Sequence, residues 1–337
     1  FSFESRNGGA TARLRSVLTD LFLSDLILSW SNVKRSSVQP GGGFEELTDQ
    51  VLSVKQDFAT ILPSHELHLG AWFVLERQNV QINLPMESAI NFDELKLRGD
   101  GNSFKPSLYV DDKWTISSTL MATLGLRYDY VARSKEGPLS PRINIAYAWN
   151  EHMSLSADYG WYYQSPKAYE LVINNNLRSR KAESYGIGMK HQIGDEIVVS
   201  IEGYNKNLSQ LITIDSLWNL SNNGYGYSRG AEFYIQLKSP SGFSGWLSYT
   251  YSISKRKEGT NPDLHYFDFD RPHMISLVAN YRFGEHWQAG ARFRYGSGKP
   301  YTPVASAFYN PAAGHWFPIP GEHNSGRFPD YSRLDIR

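Results

Sequence analysis

The sequence predicts an all-β protein, an antiparallel transmembrane β-barrel of about 16 strands with short periplasmic turns and long extracellular loops. Three observations lead there. Apolar and polar residues alternate with a period of two over stretches long enough to cross a bilayer. Short turns take turns with long polar connections, and Tyr and Trp gather near the strand ends. The clearest hairpin has Ile143, Ile145, Tyr147 and Trp149 alternating with Arg142, Asn144, Ala146 and Ala148. It turns at Asn150-Glu151, and Met153, Leu155, Ala157, Tyr159, Trp161 and Tyr163 return against Ser154, Ser156, Asp158 and Gly160.

From the N-terminus, the pattern predicts strands over 10–20 and 22–34, then a Gly-rich loop at Gly41-Gly42-Gly43. Strands over 50–62 and 66–78 flank Pro63-Ser64-His65. In the second, Leu67, Leu69, Ala71, Phe73 and Leu75 form one face, and Glu66, His68, Gly70, Trp72 and Glu76 the other. A polar connection is expected over 79–102, followed by strands over 104–116 and 119–131. The hairpin above leads into a loop over 164–180, and strands over 183–193 and 197–204 meet across Gly194-Asp195. Further pairs are 231–237 with 247–253, and 275–283 with 287–295 across Gly284-Glu285. A long loop over 296–329 precedes a last partial strand from Tyr331, and helical patterning is nearly absent.

Composition agrees with a barrel. Aromatic residues make up 14% while hydrophobic content is 41%, too little for several separate cores but enough where lipid needs only every second residue apolar. Balanced charge, 34 basic against 34 acidic, argues against a nucleic-acid partner. The absence of cysteine excludes disulfides and thiolate metal sites. The apolar stretch 21–30 is interrupted by Ser24 and Asp25, so no transmembrane helix is expected. A start at Phe1 with no signal peptide, and an end at Arg337 within a strand, suggest an internal piece of a longer protein. Soluble sandwiches and solenoids also alternate, but strand length, the order of connections and the aromatic ends favour the membrane. The polar faces carry Arg127, Asp129, Arg142, Asp158, Lys190, Glu202, Glu232, Lys238, Arg282, Arg292 and Arg294, which suits a wet lumen or one packed on a polar plug.

Short motifs occur from residue 124 onward. They are Leu124-Gly125-Leu126-Arg127-Tyr128-Asp129, Leu139-Ser140-Pro141-Arg142, Ser165-Pro166 with Glu170-Leu171, Arg229-Gly230-Ala231-Glu232, and Asp270-Arg271-Pro272-His273. Tyr295-Gly296-Ser297-Gly298-Lys299-Pro300-Tyr301-Thr302-Pro303 and Tyr331-Ser332-Arg333-Leu334-Asp335 complete the set. In this order they resemble the barrel part of TonB-dependent outer-membrane receptors; residues 1–123 resemble it in strand pattern more than in motifs. The resemblance implies that 1–337 is part of a 22-stranded barrel in the outer membrane of a Gram-negative bacterium, with its plug domain, coupling box and last strands absent from this stretch. It implies active uptake of a scarce ligand such as a ferric siderophore, haem, cobalamin or a glycan. Outer-membrane lipid, the protein's own plug and the TonB–ExbB–ExbD complex are the implied partners, and no cofactor is implied.

The resemblance also implies ligand contact at the extracellular loops. Candidates there are Tyr225, Tyr227, His265, Tyr266, Phe267, Phe269, Arg271, Tyr309, His315, Trp316 and His323, whose rings could stack on a catecholate, macrocycle or sugar; packing of loop on loop is the plainer explanation. His65 and His68 point to opposite faces of an extended segment, and neither His265 with His273 nor His315 with His323 has a recognised metal spacing, so no metal site is expected. No hydrolase or phosphate-loop motif occurs. The protein is therefore not expected to be an enzyme, although Asp268, Asp270 and His273 could be drawn as a catalytic group at the rim. A passive porin-like channel or a purely structural barrel would show the same strand pattern. The modest loops favour a small iron- or cofactor-type cargo.

Overall fold

Alternation becomes a meander of long strands. The computed structural model describes residues 2–38, 43–87, 92–215, 219–261, 263–311 and 314–337; of the expected Gly-rich loop, Gly41 and Gly42 lie outside these. The first strands are β1 (Ser2–Thr19), β2 (Phe22–Val38), β3 (Phe44–Ile61), β4 (His65–Glu87), β5 (Phe92–Thr115), β6 (Leu120–Asp129), β7 (Leu139–Asn150) and β8 (Met153–Gln164). After the short helix α1 (Ala168–Ile173) come β9 (Arg180–Ile193), β10 (Ile197–Ile214), β11 (Leu220–Lys238), β12 (Phe243–Lys257), β13 (His265–Tyr266), β14 (His273–Phe283) and β15 (Trp287–Gly296). The last long connection holds β16 (Pro300–Tyr301), β17 (Val304–Asn310), β18 (His315–Pro320) and β19 (Gly326–Arg327), before β20 (Tyr331–Ile336).

One 16-stranded antiparallel sheet runs from β1 to β12 and on through β14, β15 and β20, with β13 added to the end of β12. β1 and β20 each pair with a single neighbour, so the sheet is an unclosed barrel wall. Its register explains the alternation. One row across the wall joins Tyr147, Leu155, Met189, Ile201, Phe233, Tyr249, Ile275 and Tyr295, each opposite the next. Displaced by one residue, the adjacent row joins Ser154, Lys190, Ser200, Tyr234, Ser248, Ser276, Arg294 and Arg333. A shift of one residue would exchange the two faces, so burial of the first row in hydrocarbon pins each strand it crosses. The exposed large side chains of the apolar face, among them Ile187, Leu108 and Leu69, form the surface that lipid covers.

The strands outrun the sequence reading. The expected connection over 79–102 is instead a continued ladder, paired from Asn79–Asp100 to Glu87–Phe92, so β4 and β5 reach 23 and 24 residues. β10 and β11 likewise extend to Ile214 and from Leu220. About 10 residues suffice to cross a bilayer, so the extra length rises into water. There both faces are wet, alternation is not required, and backbone pairing alone continues the strand. Short turns close the opposite rim. Gly194, at φ 58°, takes the left-handed conformation that the turn between β9 and β10 needs and that a β-carbon would strain.

The loop between β8 and β9, read from the sequence as irregular, contains α1, which packs against β5 and β4. Glu170 accepts the Lys167 backbone N–H at 2.7 Å and pairs with Arg180 at 2.6 Å. Val131, Leu171, Leu177, Ile212 and Leu220 form a small buried core there, at the long-loop end of the wall. The Pro166 and Leu171 of the sequence motif are among the most buried side chains, so the motif folds this loop onto the wall.

Leu277→Arg, which puts a charge on the apolar face, is expected to lower stability by about 2–4 kcal/mol in urea unfolding from lipid vesicles. Ser248→Lys on the polar face should change it by no more than about 0.5 kcal/mol.

Candidate functional site

Two places gather chemistry-bearing side chains: the extracellular rim over β12–β20, and the polar face of β3–β8. At the rim, Asp270 is buried and accepts the Ser254 backbone N–H at 2.7 Å. Arg327 donates to the Asp270 carboxylate at 2.5 Å, and to the Asp270 and Gly298 carbonyls at 3.2 and 3.1 Å. Asn324 donates at 2.7 Å both to the Tyr266 carbonyl and to Asp268. Gly298 N–H and Tyr295 Oη bond Asp330 at 3.0 and 2.5 Å, and His273 N–H bonds Ser297 Oγ at 3.1 Å. The chain is extended through Pro300–Tyr301 to pair with Gly326–Arg327. The two motifs around Asp270 and Ser297 thus lock the long connection to the wall.

On that frame His265 and His323 meet edge to face, ring centroids 4.3 Å apart, beside a cavity of about 570 Å³ also lined by Asp263, Thr302 and Glu322. His265 Nδ1 donates to the Asp263 carbonyl at 2.9 Å, and His323 Nδ1 lies 3.1 Å from Thr302 Oγ1. Burial and then the neighbouring His265 push the His323 pKa below the usual histidine range, while Asp268, 3.9 Å away, acts in the opposite sense. Among the described residues no group of three or more His, Asp or Glu is arranged to hold a metal ion.

On the polar face, Lys55, Trp72, Tyr109, Asp111, Arg127, Ser140 and Arg142 line a cavity of about 380 Å³. Tyr109 stands directly opposite Gly70, and a β-carbon there would collide with its ring. The glycine lets the ring lie flat on the wall, where its hydroxyl is buried without a hydrogen-bond partner among the described residues. The Arg127 guanidinium sits 5.6 Å from both the Trp72 and Tyr109 rings and is held by Asp129 through three hydrogen bonds of 2.7–2.9 Å. Arg142 lies over Tyr162 at 4.9 Å and, among the described residues, has no carboxylate within ion-pair distance.

The structure brings together His265, Tyr266 and His323, with Arg327 over the Tyr266 ring at 4.9 Å. Phe267 and Phe269 pack at 5.4 Å under Arg256 and Lys299, and Arg271 lies beside Gly296. Tyr309, His315 and Trp316 occupy a separate hairpin of β17 and β18. Tyr225 and Tyr227 share the parity of Phe233 on β11 and face outward. Of the polar-face candidates, Arg127, Asp129, Arg142, Asp158, Glu202, Glu232, Arg282, Arg292 and Arg294 all take positions opposite in parity to the apolar rows. The catalytic grouping does not assemble: Asp270 is engaged by Arg327 and Ser254, while His273 bonds Tyr249 Oη at 2.9 Å on the outward face. Sequence reading missed Arg327, Asn324 and Tyr109. A signal existed only for the last, a large ring on a polar face opposite a glycine.

A family model described as TonB dependent receptor-like, beta-barrel matches residues 5–337. Among solved structures, the chain is similar to the ferric-catecholate import receptor Fiu of E. coli K12, with TM-score 0.73 and 14% identity, over 99% of this chain and 57% of that one. It is similar to the FrpB iron transporter of Neisseria meningitidis (0.74, 15%, 99% and 57%) and to a variant of the ferric enterobactin receptor PfeA of Pseudomonas aeruginosa (0.75, 14%, 99% and 54%). Identities this low speak to the fold alone, and the chain spans little more than half the length of these proteins. No curated protein matches it.

Asp270→Ala, which leaves Arg327 without its buried partner, should cost about 3–5 kcal/mol locally, read as faster proteolytic cleavage within 297–330. A histidine pKa below its unfolded value means fewer protons bound when folded, so rim stability is full above about pH 6.5 and falls as pH drops through the depressed value. Cleavage of the same loop should therefore accelerate between pH 7 and pH 5, and His323→Gln should flatten that dependence.

Proposed function

The chain belongs to the TonB dependent receptor-like β-barrel family, and from that premise we propose that it walls an outer-membrane active transporter for a scarce ligand of the ferric-siderophore type. Capture occurs at the extracellular rim, and passage follows rearrangement of a plug driven by the inner-membrane proton gradient through TonB, ExbB and ExbD. The observation that carries the ligand class is the polar-face cavity, where Lys55, Arg127 and Arg142 stand among Trp72, Tyr109 and Tyr162, and the Tyr109 hydroxyl has no hydrogen-bond partner among the described residues. A ferric catecholate complex is anionic and presents flat rings, so guanidinium, ammonium and aromatic faces answer both of its properties. The names of the similar structures, which speak of ferric catecholate, iron and ferric enterobactin, point the same way.

In this reading Asp129, Asp158, Glu202, Glu232, Arg282, Arg292 and Arg294 face lumenal water or the plug. His265, His323 and the hairpin carrying Tyr309, His315 and Trp316 make first contact with the ligand, with Phe267, Phe269 and Arg271 supporting them. Cells whose only receptor is the intact protein should accumulate radiolabelled ferric catecholate siderophore and stop when the proton gradient is collapsed. Arg127→Gln with Arg142→Gln should weaken binding about tenfold or more. Accumulation that survives an uncoupler would instead identify a passive channel.

A further inference from the structure

The outer wall changes character at one height across β8–β12. The outward row through Leu155, Met189, Ile201 and Phe233 is apolar. Two rows nearer the loops, register aligns Tyr159, Tyr185, Asn205, Arg229 and Ile253. The next outward row aligns Trp161, Glu183, Asn207, Tyr227, Lys255 and Tyr266, and the next holds Lys181, Ser209, Tyr225 and Lys257. No bulge interrupts β11 or β12 in this region, so all these side chains leave the wall on the lipid side.

Charge on this band is unequal. Glu183 is internally answered: Tyr159 Oη donates to it at 2.6 Å, Trp161 Nε1 at 3.3 Å, and Lys181 lies 3.5 Å from the Trp161 ring centroid. Arg229 lies over Tyr227 at 4.6 Å and Lys255 over Tyr266 at 4.4 Å. Among the described residues, Arg229, Lys255 and Lys257 have no carboxylate within ion-pair distance, and Glu258, next along the chain, pairs with Arg256. Arg229 and Lys255 are diagonal neighbours on adjacent strands, about 7–8 Å apart, and Lys257 follows Lys255 on the same face of β12, about 7 Å further toward the loops, so one extended headgroup spans the three. An occupant must satisfy two surfaces at once: an apolar wall below and clustered positive charge above.

We propose that Arg229, Lys255 and Lys257 form a docking surface on the outer wall for the phosphate-bearing headgroup of an extracellular-leaflet lipid, whose acyl chains lie along Phe233 and Ile201. Arginine and lysine at the membrane boundary reach for phosphate oxygens, and the ring beneath each of Arg229 and Lys255 holds it at the interface. The surface rests on the outer-membrane reading proposed above and is distinct from the ligand path, which lies on the opposite face of the sheet.

The test is lipid retention by the intact protein in vesicles, counted by native mass spectrometry, with bisphosphorylated lipid A against the same lipid stripped of its phosphates. The phosphorylated form should be retained, and the combined Arg229→Gln, Lys255→Gln and Lys257→Gln variant should lose roughly 100-fold, from about fivefold per cation. Arg229→Lys with both lysines kept should hold the lipid, and Lys238→Gln at the opposite rim should change nothing. Equal retention of the two lipids, or indifference to the combined variant, would overturn the proposal. Displacement by millimolar inorganic phosphate would overturn it in favour of a free-anion site, and an acidic protein held in place of the lipid would do so in favour of a protein surface. Heat-modifiable mobility in the same vesicles separates the two readings. A protein that inserts but ignores the phosphates sinks this surface alone, whereas one that never inserts sinks the membrane barrel with it.

Discussion

Every feature of this wall follows from one constraint: inside hydrocarbon, each backbone N–H and C=O must find a partner within the protein. A meander of antiparallel strands supplies those partners edge to edge from β1 to β20. With the backbone satisfied, side chains divide by parity, and the apolar medium holds that parity in register across successive strands. Placing Arg127, Arg142 and Arg294 on one face is therefore not a separate achievement of the sequence. It is the other half of the alternation that puts Leu126, Ile143 and Tyr295 on the membrane side.

Beyond the membrane the same ladder persists for a different reason. β4 and β5 continue to pair where alternation has lapsed, because an unpaired strand end would only exchange its hydrogen bonds with water while the paired ends also give α1 a surface to pack on. Loop order then depends on a few polar anchors. Asp270 gathers Ser254 from β12 and Arg327 from the last long connection, and Asn324 ties that connection to Tyr266 and Asp268. Motifs that resemble family signatures turn out to be structural here. Glu170 and Leu171 seat α1, and Ser297 and Gly298 fasten the loop to His273 and Asp330.

Two faces of one sheet therefore carry two kinds of recognition chemistry. On the polar side, aromatic rings and guanidinium groups share a recess in which the Tyr109 hydroxyl has no hydrogen-bond partner among the described residues. On the membrane side, cations stand above an apolar slope. Both use rings to hold positive charge in place, yet the medium opposite each differs, and under the two proposals above that difference separates a passage from an anchorage.

Much of this was legible in the sequence. Period-two alternation identified the strands and their faces, because the lipid boundary writes itself into every second residue, and the short turns gave the order of the meander. The ends of β4, β5, β10 and β11 were not legible, since alternation records the edge of the membrane and not the end of the ladder. Nor were the site contacts. Asp270 and Arg327, or His265 and His323, are separated by 57 and 58 positions, and no local pattern announces that two loops fold onto each other. The three-cation band needed the register of β11 against β12 before Arg229 and Lys255 could be seen as neighbours. Local chemistry thus determined the fold class and the facing of each side chain. Only the tertiary structure decided which side chains meet, because contact between distant segments depends on pairing and packing across the whole sheet.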